Sequence, residues 1–472
     1  MNEYLNFKIN NKFLFYLFCL FNLFNFILFL FAFSQIDTFE YLIFSLISIF
    51  SFNYFLLTWR YFSELFYNLF IYLGFWFKFS ITTSKSFNLT IAETNPILSN
   101  LAIINEYSDV LNIISVSIAL MTLTFYLIKK YRFSKINDEK SLFFLEYILK
   151  NHRFKFLFIF ITCFLIIILL NLHFEIAALG IDYKYFFIEK LFKILLFFVL
   201  PLTIVLVADT YIKIYNSKTS TIFITILFFF FISISINSRA LIINVLPILL
   251  IYLNYNKEVK KSLIVIGTII ILFITSITYV SGNRSSDFSI NWDIKNFLFN
   301  KILTLSVERW VGISGMINVE YSKGKNFKRF KESLTEKSTK FNFYERNFYY
   351  SQNNEDKNFM NSDTFFSITS SNSKYNHVYI PGFMAFFYYS GSPILLCVLS
   401  ILLVIFMIFC EKVCTYYINS KMFVSLFSMI LVWRIIHLGL FPINSFIYFL
   451  ILLFLPIMIY FIDKYLFLYV KK

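Results

Sequence analysis

Residues Phe156–Leu172 read FLFIFITCFLIIILLNL, and residues Leu263–Val280 read LIVIGTIIILFITSITYV. Neither block holds a charged residue. Each is close to the ~20 apolar residues that an α-helix needs to cross a bilayer core. Similar blocks recur along the whole chain and give twelve candidate spans: Phe13–Phe33, Tyr41–Trp59, Leu65–Phe79, Val110–Ile128, Phe156–Leu172, Ile194–Ile212, Ile222–Ile236, Leu241–Leu253, Leu263–Val280, Phe383–Phe409, Met422–Leu440 and Phe446–Phe461. The composition agrees, with 59% hydrophobic and 15% charged residues against roughly half and a quarter in soluble domains. The fold expected is an all-α polytopic membrane protein of about 12 transmembrane helices with one large exterior loop. Residues 1–280 form a bundle of about nine helices, 281–380 the loop, and 381–472 about three further helices. The first block is too long for a signal-peptide core and no small-residue cleavage site follows it, so it reads as a retained anchor.

The 67 Phe, with many Ile, Asn and Lys, suggest an AT-rich genome, so individual residues of these types carry little weight. The net charge of +15 reads as topology rather than nucleic-acid binding, because Lys and Arg collect in cytoplasmic loops of membrane proteins. With the N-terminus inside, Lys8, Arg60, Lys129, Lys130, Arg132, Lys140, Lys257, Lys260, Lys261, Lys464 and Lys472 all fall on the cytoplasmic side. The short exterior loops keep few, among them Lys85, Lys184, Lys190 and Arg239. Both termini are therefore expected in the cytoplasm. The five cysteines avoid the large loop, which argues against a disulfide framework or zinc site. There is no Walker loop, dinucleotide fingerprint or HExxH, so no cofactor or metal is expected.

The polar segment Ser281–Ile380 breaks the weave of spans. Its first part, Lys295–Tyr321, places Phe299, Ile302, Trp310, Ile313 and Ile317 near one stripe and predicts a helix lying on the outer membrane surface or packed on the bundle. Phe341–Lys374 is rich in Asn, Ser, Lys and Glu and reads as a mobile loop. Several residues carry possible chemistry. Arg434 lies inside Met422–Leu440 with His437 one turn on, where a charged side chain is costly unless it is paired or faces water. It either binds an anion or snorkels to the interface. Arg239 occupies a tight exterior turn, and Arg284 follows the ninth span. Arg309 sits in Glu308-Arg309-Trp310, where Glu308 is either a base or the partner of Arg309. His377 is the single histidine of the loop, with an ordinary pKa suited to general-base work.

About twelve spans, one large exterior loop late in the chain and arginines at the exterior face resemble the O-antigen or capsular repeat-unit polymerases of the Wzy type, and the related O-antigen ligases. The local resemblance lies in Asn237-Ser238-Arg239-Ala240, in Glu308-Arg309-Trp310-Val311-Gly312 and in His377–Gly391 (HVYIPGFMAFFYYSG). The Arg-x10-Gly pattern described for some polymerases is not present: Leu250, Lys295 and Glu320 stand at the glycine's places. The resemblance implies a glycosyltransferase of the bacterial inner (plasma) membrane. Its donor and acceptor would be oligosaccharide repeat units on undecaprenyl diphosphate. Arg239, Arg284, Arg309, Arg434 and His437 would bind the diphosphate, and His377 or Glu308 would take the acceptor's proton. Partners would be these lipids, the bilayer, a chain-length regulator and a flippase, with no nucleic acid. A flippase of the same lipid-linked oligosaccharide, or a ligase, is the alternative reading.

Overall fold

In a computed structural model, the structure describes residues 12–36, 38–84, 108–131, 142–177, 186–238, 241–255, 259–284, 312–321, 325–334, 382–436 and 442–471. These residues are 91% helical, with no strand among them. The helices are α1 (Lys12–Ile36), α2 (Phe39–Thr58), α3 (Phe62–Thr83), α4 (Ser108–Lys130), α5 (Phe143–Asn151), α6 (Arg153–Phe174), α7 (Phe187–Tyr215), α8 (Lys218–Ser235), α9 (Leu241–Tyr255), α10 (Val259–Arg284), α11 (Ile313–Tyr321), α12 (Phe327–Leu334), α13 (Gly382–Tyr388), α14 (Pro393–Tyr417), α15 (Lys421–Ile436) and α16 (Pro442–Lys471). Ten of them are long and apolar enough to cross a membrane. The remaining two expected spans correspond to α9 and α15, of 15 and 16 residues. The chain is thus an all-α polytopic membrane protein.

In a bilayer core every backbone group must bond within its own segment, which is why long apolar blocks become helices. Helix packing there rests on van der Waals contact and on polar side chains that bond across helices. Two compact units result. The first comprises Met1–Ser134, Asn291–Ile408 and Val432–Tyr448; the second comprises Lys135–Ile290, Phe409–Leu431 and Phe449–Lys472.

In the first unit, α3 is the most enclosed span. Side-chain bonds fix it and its neighbours in register: Tyr72 Oη donates to Asn25 Oδ1 at 2.6 Å, Tyr41 and Ser80 share a bond of 2.7 Å, and so do Ser51 and Thr122. Phe52 stacks on Tyr72 with ring centroids 4.4 Å apart. The middle of α3, Tyr72–Phe77, widens into a π-helical turn, a feature that often marks functional positions. In the second unit, Asn171 Nδ2 donates to the Ser235 carbonyl at 2.6 Å, while its Oδ1 accepts from Ala177 N–H at 2.8 Å. Asp463 caps the start of α5 by accepting from Leu145 N–H at 3.0 Å and Phe144 N–H at 3.3 Å.

The expected amphipathic segment is described over its last residues, as α11. Its Ile313, Met316, Ile317 and Val319 are buried, so this part packs on helices rather than lying on a membrane surface. The expected tenth span, Phe383–Phe409, is broken: α13 ends at Tyr388, and α14 begins at Pro393 after a turn through Gly391 at φ +79°. Ser392 Oγ caps the new helix by accepting from Leu395 N–H at 3.2 Å. A proline that cannot donate a helical hydrogen bond, placed just after a glycine in left-handed backbone, favours this break over one straight helix.

A candidate site where the inter-span segment meets the first unit

The stretch between α10 and α14 returns to the first unit through α11, α12 and α13. Gly312, just before α11, lies against the π-helical turn of α3. A Cβ there would come within 2.6 Å of the Gly74 carbonyl carbon and 3.0 Å of Phe75 Cδ2. Absence of a side chain at Gly312 is what permits this close approach to the α3 backbone. α11 also packs on α13 and α4. Every residue of α13 is buried, with Phe383 against Tyr67 at 5.8 Å and Phe386 against Phe330 of α12 at 5.2 Å. Gly391, just beyond α13, lies near the chain after α11: a Cβ there would stand 3.5 Å from the Lys325 carbonyl oxygen.

A cluster of polar side chains links α11, α13 and the residues just before α12. Lys325 Nζ donates to Glu320 Oε2 at 2.7 Å and to Tyr388 Oη at 3.3 Å, and lies 4.9 Å from the centre of the Tyr388 ring. Tyr388 Oη donates to the same Glu320 oxygen. Glu320 and Lys325 are about one quarter exposed, at 26% and 27% of their side chains. Burial pushes the Glu320 carboxyl up, but the hydrogen bonds from Lys325 and Tyr388, with the Lys325 charge, outweigh it and hold it below the ordinary value. Burial pushes the Tyr388 phenol up, and the Glu320 hydrogen bond and the charges of Glu320 and Asp109 push it further. Tyr388 is therefore a hydrogen-bond donor at neutral pH and Glu320 an ionised acceptor.

Lys78 and Arg434 also belong to this unit. Lys78 follows the π-helical turn and is fully buried. Arg434, near the end of α15, is half-buried, its guanidinium 4.6 Å from the centre of the Tyr448 ring. The neighbouring Trp433 packs on Phe70 of α3 with centroids 5.4 Å apart. The Tyr448 ring lies against one face of the guanidinium, a cation–π contact.

No protein-family model, curated protein or solved structure matches this chain.

Of the site residues expected from sequence, Arg434 alone has a described side chain. Arg284 is the last residue of α10, in the second unit. Arg239, Glu308, Arg309, His377 and His437 lie outside the described residues. Sequence reasoning passed over Lys78, Glu320, Lys325 and Tyr388. Lys78 carried a usable signal, being a cation within an apolar block, as Arg434 is. The other three carried none, since only folding brings residues 320, 325 and 388 together.

Proposed function

We propose that this protein polymerises oligosaccharide repeat units carried on undecaprenyl diphosphate, at the outer face of a bacterial plasma membrane, with both termini in the cytoplasm. The observation that carries this reading is that α11 and α13, from the stretch between two spans, are buried structure in the first unit and hold the Glu320–Lys325–Tyr388 cluster there. A flippase of the same lipid would be built on short loops and related halves. Helices α11 and α13, buried beside the spans while carrying polar groups of the cluster, suit a protein that binds a saccharide while its lipid stays in the bilayer.

The reaction needs no nucleotide. A hydroxyl oxygen of the acceptor repeat unit attacks the anomeric carbon of the donor. The bond from that carbon to the lipid diphosphate breaks, and the diphosphate leaves with the electron pair. The hydroxyl proton passes to a base, for which His377 is the first candidate and Glu308 the second. Arg434, with Arg239, Arg284, Arg309 and His437, would neutralise charge growing on the leaving diphosphate, where bidentate guanidinium contacts are strongest. A flippase, and a chain-length regulator, would act with it on the same lipid.

Deleting the gene tests this reading. Single repeat units on the cell surface are expected, since export continues while extension stops. Repeat units trapped on the cytoplasmic leaflet would point to the flippase alternative. In cells carrying His377→Ala at normal protein level, polymer is expected to be absent or sharply reduced.

A further inference from the structure

We infer that Glu320, Lys325 and Tyr388 form a binding subsite for hydroxyl groups of a saccharide, a role that rests on the polymerase reading above. The cluster combines one carboxylate, one ammonium and one neutral phenol, so it attracts neither anions nor cations by net charge. What remains is directional. Glu320 uses Oε2 to accept from both Lys325 and Tyr388, and among the described residues its Oε1 makes no hydrogen bond. An ionised carboxylate accepts strongly at both oxygens. Lys325 Nζ has three N–H groups, and its described contacts occupy two. An acceptor and a donor thus stand side by side, both a quarter exposed. That pair matches two adjacent hydroxyls, each of which can donate and accept.

The surroundings fit the same ligand. Two residues after Lys325, Phe327 is exposed at 62% in an otherwise polar stretch and lies 6.3 Å from the buried Phe330 ring. An exposed aromatic ring two residues along the chain from Lys325 suits the C–H face of a sugar ring. Rigid support suits binding too: Gly312 packs closely on the α3 backbone just ahead of α11, Tyr388 ends the fully buried α13, and fixed polar groups lose less entropy on binding. The depressed carboxyl of Glu320 points to a hydrogen-bond acceptor rather than to the base of the reaction, for which a value near working pH is best.

The test uses full-length protein in lipid nanodiscs and two probes: lipid-linked oligosaccharide extracted from cells lacking the gene, and undecaprenyl diphosphate alone. Wild type is expected to bind the sugar-bearing lipid more tightly than the bare lipid. Glu320→Gln, which keeps the shape and an acceptor for Tyr388, is expected to lose that preference by roughly ten- to hundredfold, the worth of a hydrogen bond to a charged group. Its affinity for the bare lipid should not change. Tyr388→Phe should lose less, since Lys325 still holds the carboxylate. Thermal melting of each variant separates loss of binding from loss of fold. Should a folded Glu320→Gln keep the full preference, the subsite is wrong while the polymerase reading stands. Should wild type fail to prefer the sugar-bearing lipid, the polymerase reading fails and the subsite with it.

Discussion

Charged side chains set in apolar surroundings are costly unless they are paired, and Glu64 with Lys129 is such a pair. Glu64 is fully buried at the start of α3. It bonds Lys129 of α4 and accepts from the backbone N–H of Arg60 at 2.9 Å. Lys129 in turn donates to the Thr58 carbonyl at 2.9 Å and lies 5.0 Å from the centre of the Tyr54 ring. One pair thus ties the α2–α3 turn to α4. Glu64→Ala would leave the Lys129 charge unpaired, at a cost of about 3–5 kcal/mol. The expected outcome is a sharp fall in melting temperature in detergent, much of it recovered in Glu64→Leu/Lys129→Met. At Glu320 the expectation concerns pH. Its carboxyl lies below the ordinary value in the folded protein, so its ionisation favours folding above the unfolded value of about 4.3. That contribution is lost as pH falls through the folded value. Melting curves should therefore show Glu320→Gln less stable than wild type at pH 7, with the gap closing below about pH 4. Arg434 separates two roles. An arginine that merely stacks on Tyr448 is replaceable by lysine, whereas one that grips a diphosphate is not. Arg434→Lys is expected to lower polymer formation roughly 10²–10³-fold, measured as turnover of purified lipid-linked repeat units. The rule that singled out Arg434 in the sequence, a cation within an apolar block, applies equally to Lys78, so that part of the first unit was legible. The Glu320 cluster was not, because its members are ordinary polar residues until α11 and α13 meet.

Helices α11 and α13 show what periodicity can and cannot say about an element. The stripe through Ile313 and Ile317 marked α11 as amphipathic, but a stripe is the same whether it faces lipid or protein. Gly312 decides between them, since its close approach to the backbone of Gly74 leaves no room for a side chain at position 312. Gly312→Ala should force α11 away from the π-helical turn, at a cost of about 1–3 kcal/mol, as for other overpacked sites. Loss of activity is expected together with lower thermal stability. Gly267→Ala is the matched control: a Cβ there meets nothing within 4 Å, and alanine suits the interior of α10 better than glycine. Equal behaviour of the two variants would mean that the Gly312 contact does not hold α11. The break between α13 and α14 was half legible. Ser390-Gly391-Ser392-Pro393 stands in the sequence as an interruption, yet the apolar residues around it read as one continuous span. Apolar content alone cannot distinguish a helix that crosses a bilayer from a short one buried against its neighbours, as α13 is.

For the whole chain, the question is whether the two short helices cross the membrane, because each crossing reverses the side on which everything downstream lies. At about 1.5 Å per residue, α9 with 15 residues and α15 with 16 reach about 22 and 24 Å, less than the ~30 Å core. Short length is tolerated where protein, not lipid, surrounds the helix, and where the bilayer thins locally. α15 fits that condition, with buried side chains at Met422, Phe423, Val424, Leu426, Phe427, Met429 and Ile430. In α9, Val245, Ile248, Ile251 and Tyr252 are buried. Charge supplies the second argument. If α9 crosses, Lys257, Lys260 and Lys261 fall on the cytoplasmic side with the other clustered cations. If it does not, they lie outside, against the positive-inside rule. The sequence supplied twelve blocks because hydropathy ignores length within a few residues; the ten long helices and these two agree with it in position, except that the tenth block also took in α13. Both short helices are thus expected to cross, which places Lys140 and Lys257 inside and Asn353 outside. The measurement is labelling of single cysteines introduced at these three positions, in a protein whose native cysteines are replaced by serine, with an impermeant reagent on intact cells. Asn353→Cys should label in intact cells, and Lys140→Cys and Lys257→Cys only after permeabilisation. Labelling of Lys257→Cys in intact cells, with Asn353→Cys protected, would mean that α9 does not cross, and would put α11, α13 and the Glu320 cluster on the cytoplasmic side, where a lipid-linked repeat unit awaiting polymerisation is not displayed.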